Sequence, residues 1–104
     1  MTHPPEKLNT ILQMTRPALD RPVRKQFMTK DGLRISIQAS CYHYCNPRNN
    51  TGPYDQLELG FPSDSDVEEI SEYAEEPELE LTGNVYPYVP VQVVCDLINR
   101  RGGF

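Results

Sequence analysis

The stretch from residue 26 to residue 40, QFMTKDGLRISIQAS, decides the fold. Asp31-Gly32 stands at its centre, between two runs in which apolar and polar residues alternate. This dipeptide is typical of a two-residue hairpin turn, because both central positions of that turn need positive φ. The predicted register pairs Lys30 with Leu33, Met28 with Ile35 and Gln26 with Ile37.

The run after the turn alternates strictly between apolar and polar side chains. Successive side chains of a strand point to opposite faces, so the run predicts one buried and one solvated face. The predicted core face consists of Leu33, Ile35, Ile37 and Ala39. The opposite face consists of Arg34, Ser36, Gln38 and Ser40.

Two further strands are predicted downstream. The run YDQLELGF (54–61) follows a segment rich in turn residues and places Leu57, Leu59 and Phe61 on one face, which makes it the third strand of a meander. The run VYPYV (85–89) is predicted as an edge strand, because Pro87 cannot donate a hydrogen bond in the middle of a sheet.

Two helices are predicted in the same region. The segment SDSDVEEISEYAEE (63–76) has Ser65 as a candidate cap and an apolar stripe of Val67, Ile70, Tyr73 and Ala74. A final helix begins at Pro90, carries two arginines in its last turn and ends at Gly102-Gly103. Its predicted buried face consists of Val91, Val94, Leu97 and Ile98.

The N-terminal segment is predicted to lie outside this domain. Residues 4–14 have helical spacing, and the following TRPALDRPVR carries two prolines among charges, as an extended connector does. We therefore expect an arm at residues 1–22 and a single domain at residues 23–104. The fold class is α+β, a small antiparallel sheet of three meander strands and one edge strand packed by two helices.

Composition indicates a soluble chain. Its 104 residues are 38% hydrophobic, with a mean hydropathy of −0.60 and no apolar run long enough to cross a membrane. The N-terminus lacks the features of a secretory signal, and three cysteines do not form a full set of disulfides. We expect reduced thiols, no membrane contact and a cytoplasmic location.

Charge is distributed unevenly along the chain. Residues 1–48 carry eight basic and three acidic side chains, whereas residues 49–104 carry two basic and twelve acidic ones. Between Asp55 and Glu80 there are eleven acidic residues and no basic one. Such a segment repels nucleic acid and attracts basic protein surfaces, so direct nucleic-acid binding is not expected.

The stretch CYHYCNPR (41–48) contains the residue types of a metal or catalytic site. On a continuous strand, however, alternate residues lie about 6.6 Å apart, whereas ligands of one zinc ion lie within roughly 4 Å of each other. The favoured interpretation is that Cys41, His43 and Cys45 pack inward beside Ala39. The phenols of Tyr42 and Tyr44 then face the other way, and Arg48 binds carbonyls or an acid of the third strand.

The same residues have two chemical alternatives. One is a zinc-stabilised interaction module built on Cys41, His43 and Cys45, and no other metal or cofactor is expected. Catalysis is not expected, because the sequence contains no nucleophile elbow, zinc-protease, Walker or dinucleotide-binding motif.

An ordered series of motifs resembles a family of small proteins encoded by bacteriophages and prophages. It runs from ISIQASCYHYCNPRNNTGPYDQLELGFPS through YAEEP to VYPYVPVQVV and INRRGG, over about residues 33–103. The family motif maps onto Ser36, Gln38 to Ser40, Tyr42 to Cys45, Pro47 and Arg48. Cys41 lies outside it, and the helix end reads Asn-Arg-Arg-Gly-Gly where the family has a histidine before the glycines. The resemblance implies a phage origin and no catalytic residue.

A phage origin together with an acidic surface favours a non-enzymatic inhibitor of a host defence or nucleic-acid-handling complex, similar to an anti-CRISPR protein, in the cytoplasm of the bacterial host. The partner would be a host protein or ribonucleoprotein with a basic channel, and a homodimer is left open. The predicted contact residues are Asp64, Asp66, Glu68, Glu69, Glu72, Glu75, Glu76, Tyr42, Tyr44, Arg48 and Tyr54. The alternatives are a virion or morphogenesis accessory protein and the zinc-stabilised module.

Overall fold

The structure is a computed structural model that describes residues 3–17 and 23–104. Four strands form one antiparallel sheet in the order β1-β2-β3-β4, packed with two helices, which confirms the predicted α+β class. The elements are α1 (Pro5–Met14), β1 (Phe27–Met28), β2 (Arg34–Gln38), β3 (Gln56–Gly60), β4 (Val85–Pro90) and α2 (Val91–Arg100), with 3₁₀ turns at Glu68–Tyr73 and Leu81–Gly83.

The first hairpin forms, but its predicted register is wrong by one residue. Phe27 pairs with Ile35 and Met28 pairs with Arg34, so residues 30–32 form a three-residue loop. Gly32 adopts a φ of +98°, which glycine adopts without steric cost. The loop is also bound to the chain end, because the Lys30 N–H donates to the Gly103 carbonyl at 2.7 Å.

Strand β2 has the predicted core face and an unexpected second face. Leu33, Ile35, Ile37 and Ala39 are all buried, as predicted. On the opposite face Gln38 is buried as well, and its amide exchanges two hydrogen bonds of 2.8 and 2.9 Å with the backbone of Arg24. The segment before β1 therefore covers part of the face that was expected to be solvated.

Strand β3 ends earlier than its apolar pattern suggests. Leu57 and Leu59 are buried as predicted, but Phe61 is 54% exposed and the prediction that it faces the core is wrong. The strand stops at Gly60, and Phe61 takes a left-handed φ of 51° while its N–H donates to the Asn84 carbonyl at 2.9 Å. Strand β4 is the edge strand that Pro87 predicts.

The helix predicted over residues 63–76 is a shorter 3₁₀ turn, Glu68–Tyr73. Ser65 does not cap it, since Val67 holds the cap position without a side-chain hydrogen bond. Val67 and Ile70 are fully buried as the stripe predicts. Contacts on both sides shorten the element: the carbonyl of Asp66 accepts from both C-terminal arginines, and the Glu75 N–H donates to Val85.

Helix α1 belongs to the core, so the prediction of a separate arm is wrong for this helix. Leu8 and Leu12 are fully buried in the cluster formed by the sheet and α2. The side chain of Asn9 exchanges hydrogen bonds of 2.6 and 2.9 Å with the backbone of Tyr54. The predicted connector lies partly in residues 18–22, outside the described residues.

A buried arginine fixes the end of α1. The Arg24 guanidinium donates to the carbonyls of Leu12 at 2.9 Å and Ala39 at 2.7 Å. A cation is favourable there, because the last carbonyls of a helix lack partners and carry partial negative charge. Burial lowers the pKa of Arg24, since the charged form loses hydration.

Helix α2 follows its prediction closely. Val94, Leu97 and Ile98 are buried, and Gly102 and Gly103 end the helix at φ values of 94° and 83°. In the described ranges, 3–17 and 23–104, the longest helices have ten residues, and none can span a membrane.

Leu12→Ala tests the place of α1 in the core. We expect the free energy of unfolding to fall by about 3 kcal/mol, because a buried leucine side chain is removed and a cavity is left. Met14→Ala, at an exposed position of the same helix, is the control and should change it by no more than about 0.5 kcal/mol. Equal small effects in chemical denaturation would show that α1 is a detachable arm.

Candidate functional site

The CYHYCNPR segment is a tight double turn and not the end of a strand. Strand β2 stops at Gln38, and the Ser40 hydroxyl accepts the Tyr42 N–H at 3.0 Å, which bends the chain. The His43 N–H then donates to the Ser40 carbonyl at 3.3 Å. The prediction that Cys41 packs inward is consequently wrong, because the turn leaves its side chain exposed.

His43 and Cys45 are buried beside Ala39, as predicted. His43 Nδ1 lies 2.6 Å from the Ser40 hydroxyl, and the Cys45 thiol donates to the Ser40 carbonyl at 3.3 Å. Burial lowers the pKa of His43 and raises the pKa of Cys45, so both groups favour their neutral forms. A neutral thiol is a poor nucleophile and a poor metal ligand, and this pair stabilises the turn.

The cluster does not offer three ligands to one metal ion. Cys41 faces solvent while His43 and Cys45 are engaged inside, and in the described part of the chain no three His, Cys, Asp or Glu side chains are placed to hold a metal. Cys95 is buried in α2, where burial raises the pKa of its thiol to about 11. The geometry therefore gives no support to the zinc-stabilised module.

Five of the six tyrosines are either buried or exposed, and Tyr73 is half-buried. Tyr54, a predicted contact residue, is buried and donates its hydroxyl hydrogen to the Asn49 carbonyl at 2.8 Å, so its side chain does not lie on the surface. Tyr86 is fully buried and donates to the Leu81 carbonyl. Tyr42, Tyr44 and Tyr88 are exposed.

Two of the exposed tyrosines form a pair over the outer face of the sheet. The ring centroids of Tyr44 and Tyr88 lie 5.9 Å apart at an interplanar angle of 36°. The Tyr88 N–H donates to the Tyr44 carbonyl at 3.0 Å, and the Glu58 carboxylate accepts the Tyr44 N–H at 2.9 Å. Arg48 was expected to bind a carbonyl or an acid, but its guanidinium carbon lies over the Tyr44 ring, 5.3 Å from the centroid.

Part of the acidic segment is neutralised by the end of α2. Arg100 binds Glu69 through two nitrogens, at 2.5 and 2.9 Å, and Asp66 at 3.1 Å. Glu68 lies 3.9 Å from the same guanidinium and is largely exposed. The Arg100 guanidinium lowers the pKa of Glu69.

The adjacent Arg101 is buried and binds two carboxylates from different parts of the chain. It donates to both oxygens of Asp64 at 2.9 Å and to Asp31 at 2.5 Å. These bonds lower the pKa of Asp64 to about 2. Asp64, Asp66 and Glu69, three of the predicted contact residues, thus hold the fold together, which their spacing in the sequence did not reveal.

The remaining carboxylates lie mainly on residues 75–80, EEPELE, which we call the acidic loop. Its four glutamates, Glu75, Glu76, Glu78 and Glu80, are exposed, and so is Glu72 just before it. None of the ion pairs among the described residues involves these five carboxylates. Leu79, between Glu78 and Glu80 of the loop, is 48% exposed.

One buried side chain, Asn84, holds the acidic loop in shape. Its amide oxygen accepts the Glu76 N–H at 3.0 Å. Its amide nitrogen faces the carbonyls of Glu76, Leu79 and Glu80 at 2.9, 3.4 and 3.1 Å. Sequence reasoning missed this residue, although asparagine after Thr-Gly is typical of a side chain that bonds a nearby backbone.

The comparisons with known proteins found no relative. No protein-family model, no curated protein and no solved structure matches the chain. The resemblance to small phage proteins therefore stays a prediction.

Asn84→Ala tests whether this side chain orders the acidic loop. We expect a loss of about 2 kcal/mol in unfolding free energy, because the Glu76 N–H and several carbonyls lose their partner. The Glu76 amide hydrogen should also exchange faster. Asn50→Ala, at an exposed asparagine with a single hydrogen bond to the Cys41 N–H, is the control and should cost less than about 1 kcal/mol. Unchanged exchange at Glu76 would contradict this role.

The lowered pKa of His43 predicts a loss of stability in mild acid. The unfolded chain takes up a proton near the ordinary value of 6.5, whereas the folded chain resists it, so stability should fall as pH drops below about 6.5. Denaturation at pH 7.5 and 5.5 measures the difference, and His43→Gln should reduce it. His3 is also buried with a lowered pKa, so His3→Gln separates its share. A pH dependence unchanged in His43→Gln would refute the assignment.

Proposed function

We propose that this protein is a non-enzymatic inhibitor that occupies the basic, nucleic-acid-binding channel of a host defence or nucleic-acid-handling complex, in the manner of an anti-CRISPR protein. It acts in the cytoplasm of a bacterial host. The acidic loop, with Glu72 beside it, is the proposed contact surface.

One observation carries the proposal: the acidic loop presents several carboxylates at once in a fixed arrangement. The Asn84 side chain holds the backbone of the loop from inside. Because the loop is already ordered, binding a partner does not carry the entropy cost of ordering it. Glutamates that merely keep a protein in solution need no such support. The support given by a buried asparagine favours a surface made for recognition.

The ion pairs divide the acidic segment into a neutralised part and an unpaired part, which supports the proposal. Arg100 and Arg101 compensate the carboxylates of Asp64, Asp66 and Glu69, so a partner gains little from approaching them. Among residues 3–17 and 23–104, no ion pair joins a cation to the glutamates of the acidic loop. Like charges held close together repel, and a basic channel relieves that repulsion while it speeds association at low salt.

The chemistry of the loop also indicates the kind of partner. Its exposed carboxylates would repel a nucleic-acid backbone and would attract the lysine and arginine side chains that bind phosphates. Leu79 adds an apolar contact among them, which suits a protein surface with a small pocket.

A plasmid-interference assay tests the proposal. The protein is expressed in a bacterium with an active CRISPR system, and transformation by a targeted plasmid is compared with that by a non-targeted one. We expect the protein to restore transformation and the double variant Glu76→Gln/Glu78→Gln to restore it at least tenfold less well. The matched control Glu6→Gln/Asp96→Asn removes the same charge from exposed sites on the two helices and should act like the native protein.

Two outcomes would contradict the proposal. One is equal activity of the native protein and the acidic-loop variant, which would show that these carboxylates are not the contact. The other is a failure of the native protein against CRISPR, restriction and nuclease defences in turn, which would show that it is not an inhibitor of this kind.

A further inference from the structure

Tyr44 and Tyr88 form a preformed surface, which we call the tyrosine pad. It is separate from the acidic loop. Its two backbones are joined by the bond from the Tyr88 N–H to the Tyr44 carbonyl. The rings lie side by side at 5.9 Å, and each is 43% exposed. Exposed aromatic rings with restrained backbones are frequent anchors of protein interfaces.

The backbone at Tyr88 is strained at the point where its ring lies beside that of Tyr44. Tyr88 has a φ of 54°, a left-handed conformation that costs a residue other than glycine on the order of 1 kcal/mol. The register of β3 and β4 shifts at the same place, between Leu57 and Leu59. Irregularities of this kind redirect a side chain out of the strand pattern.

The electrostatic surroundings of the pad favour a cation. Arg48 already places its guanidinium over the Tyr44 ring, which demonstrates that this ring accepts one. The Glu58 carboxylate accepts the Tyr44 N–H at 2.9 Å and so adds a negative charge next to the backbone of the pad. An aromatic face next to a carboxylate attracts guanidinium and ammonium groups and disfavours phosphate.

We propose that the tyrosine pad binds an arginine side chain of the basic protein partner, with Arg48 as the internal group that holds part of the site in its absence. This inference rests on the proposed function, because it takes the partner to be a protein rich in lysine and arginine. The acidic loop attracts lysine and arginine alike, whereas the tyrosine pad adds a contact that is selective for guanidinium.

Binding of three synthetic peptides tests the proposal. They have the same length and alternate glycine with arginine, with lysine or with uncharged citrulline. Tyrosine fluorescence can follow binding, because the chain has no tryptophan. We expect the arginine peptide to bind more tightly than the lysine peptide, and the citrulline peptide not to bind.

Substitutions at Tyr88 separate the ring from its hydroxyl. Tyr88→Leu should weaken binding of the arginine peptide about two- to fivefold, as for one exposed cation–π contact, and weaken the lysine peptide less. Tyr88→Phe keeps the ring and should bind within about twofold of the native protein. Thermal unfolding of both variants checks that the fold is retained, and Tyr44→Leu supplies a second, independent loss of a ring.

A charge-matched pair tests the role of Arg48. Arg48→Gln should raise affinity for the arginine peptide, because it frees one face of Tyr44. Arg34→Gln removes the same charge from another exposed arginine and should raise affinity less. Equal gains would mean that Arg48 acts through charge alone and would overturn its assigned place in the site.

The outcomes distinguish this inference from the proposed function. If Tyr88→Leu and Tyr44→Leu bind the arginine peptide like the native protein while Glu76→Gln/Glu78→Gln weakens it, the pad proposal is wrong and the acidic loop stands. If only the tyrosine variants weaken binding, the acidic loop is not the contact. Absence of binding at low salt defeats both. Tighter binding of oligothymidylate or of a proline-rich peptide to the pad would also overturn the inference.

Discussion

The guanidinium of Arg101 is the contact on which the arrangement of the chain depends. It joins the β1–β2 loop at Asp31, the segment after β3 at Asp64 and the end of α2, three regions far apart in the sequence. Breaking a pair of this kind leaves a buried charge without compensation, which costs more than the pair contributes over an apolar replacement. The interaction consequently acts mainly as a constraint on where these segments can lie.

This constraint sorts the acidic residues into two populations. Asp64, Asp66 and Glu69 form ion pairs with the arginines within the fold, whereas Glu72 and the glutamates of the acidic loop remain for a partner. Net charge alone would overstate the available surface. The useful quantity is the charge that internal cations do not compensate, and in the described residues it is concentrated on the acidic loop, next to Asn84.

The parts of the fold that sequence could predict are those governed by local periodicity. Alternation placed Leu33, Ile35 and Ile37 on the core face, and helical spacing found both helices, because burial of one face fixes such patterns. Three features depend on contacts with distant segments: the hairpin register, the double turn after Gln38 and the burial of α1. A short stretch of sequence does not show such contacts. The same holds for the site. The run of acidic residues identifies the acidic segment in the sequence. Which of its carboxylates are paired and which are exposed depends on where Arg100 lies in the fold.

Strand β4 brings the two proposed contacts together. Its first residue, Val85, receives the N–H of Glu75 from the acidic loop, and Tyr88 stands three residues later, about 10 Å along the strand. A protein interface of ordinary size covers about 800 Å² on each partner, so one partner can reach both. An edge strand that is exposed invites pairing with other chains, and here the bonds to Val85 and from Tyr88, together with Pro87, limit that pairing. The hydrogen bonds at Val85 and Tyr88 therefore have two effects. They occupy backbone groups of the edge strand, and they hold the acidic loop and the tyrosine pad in position.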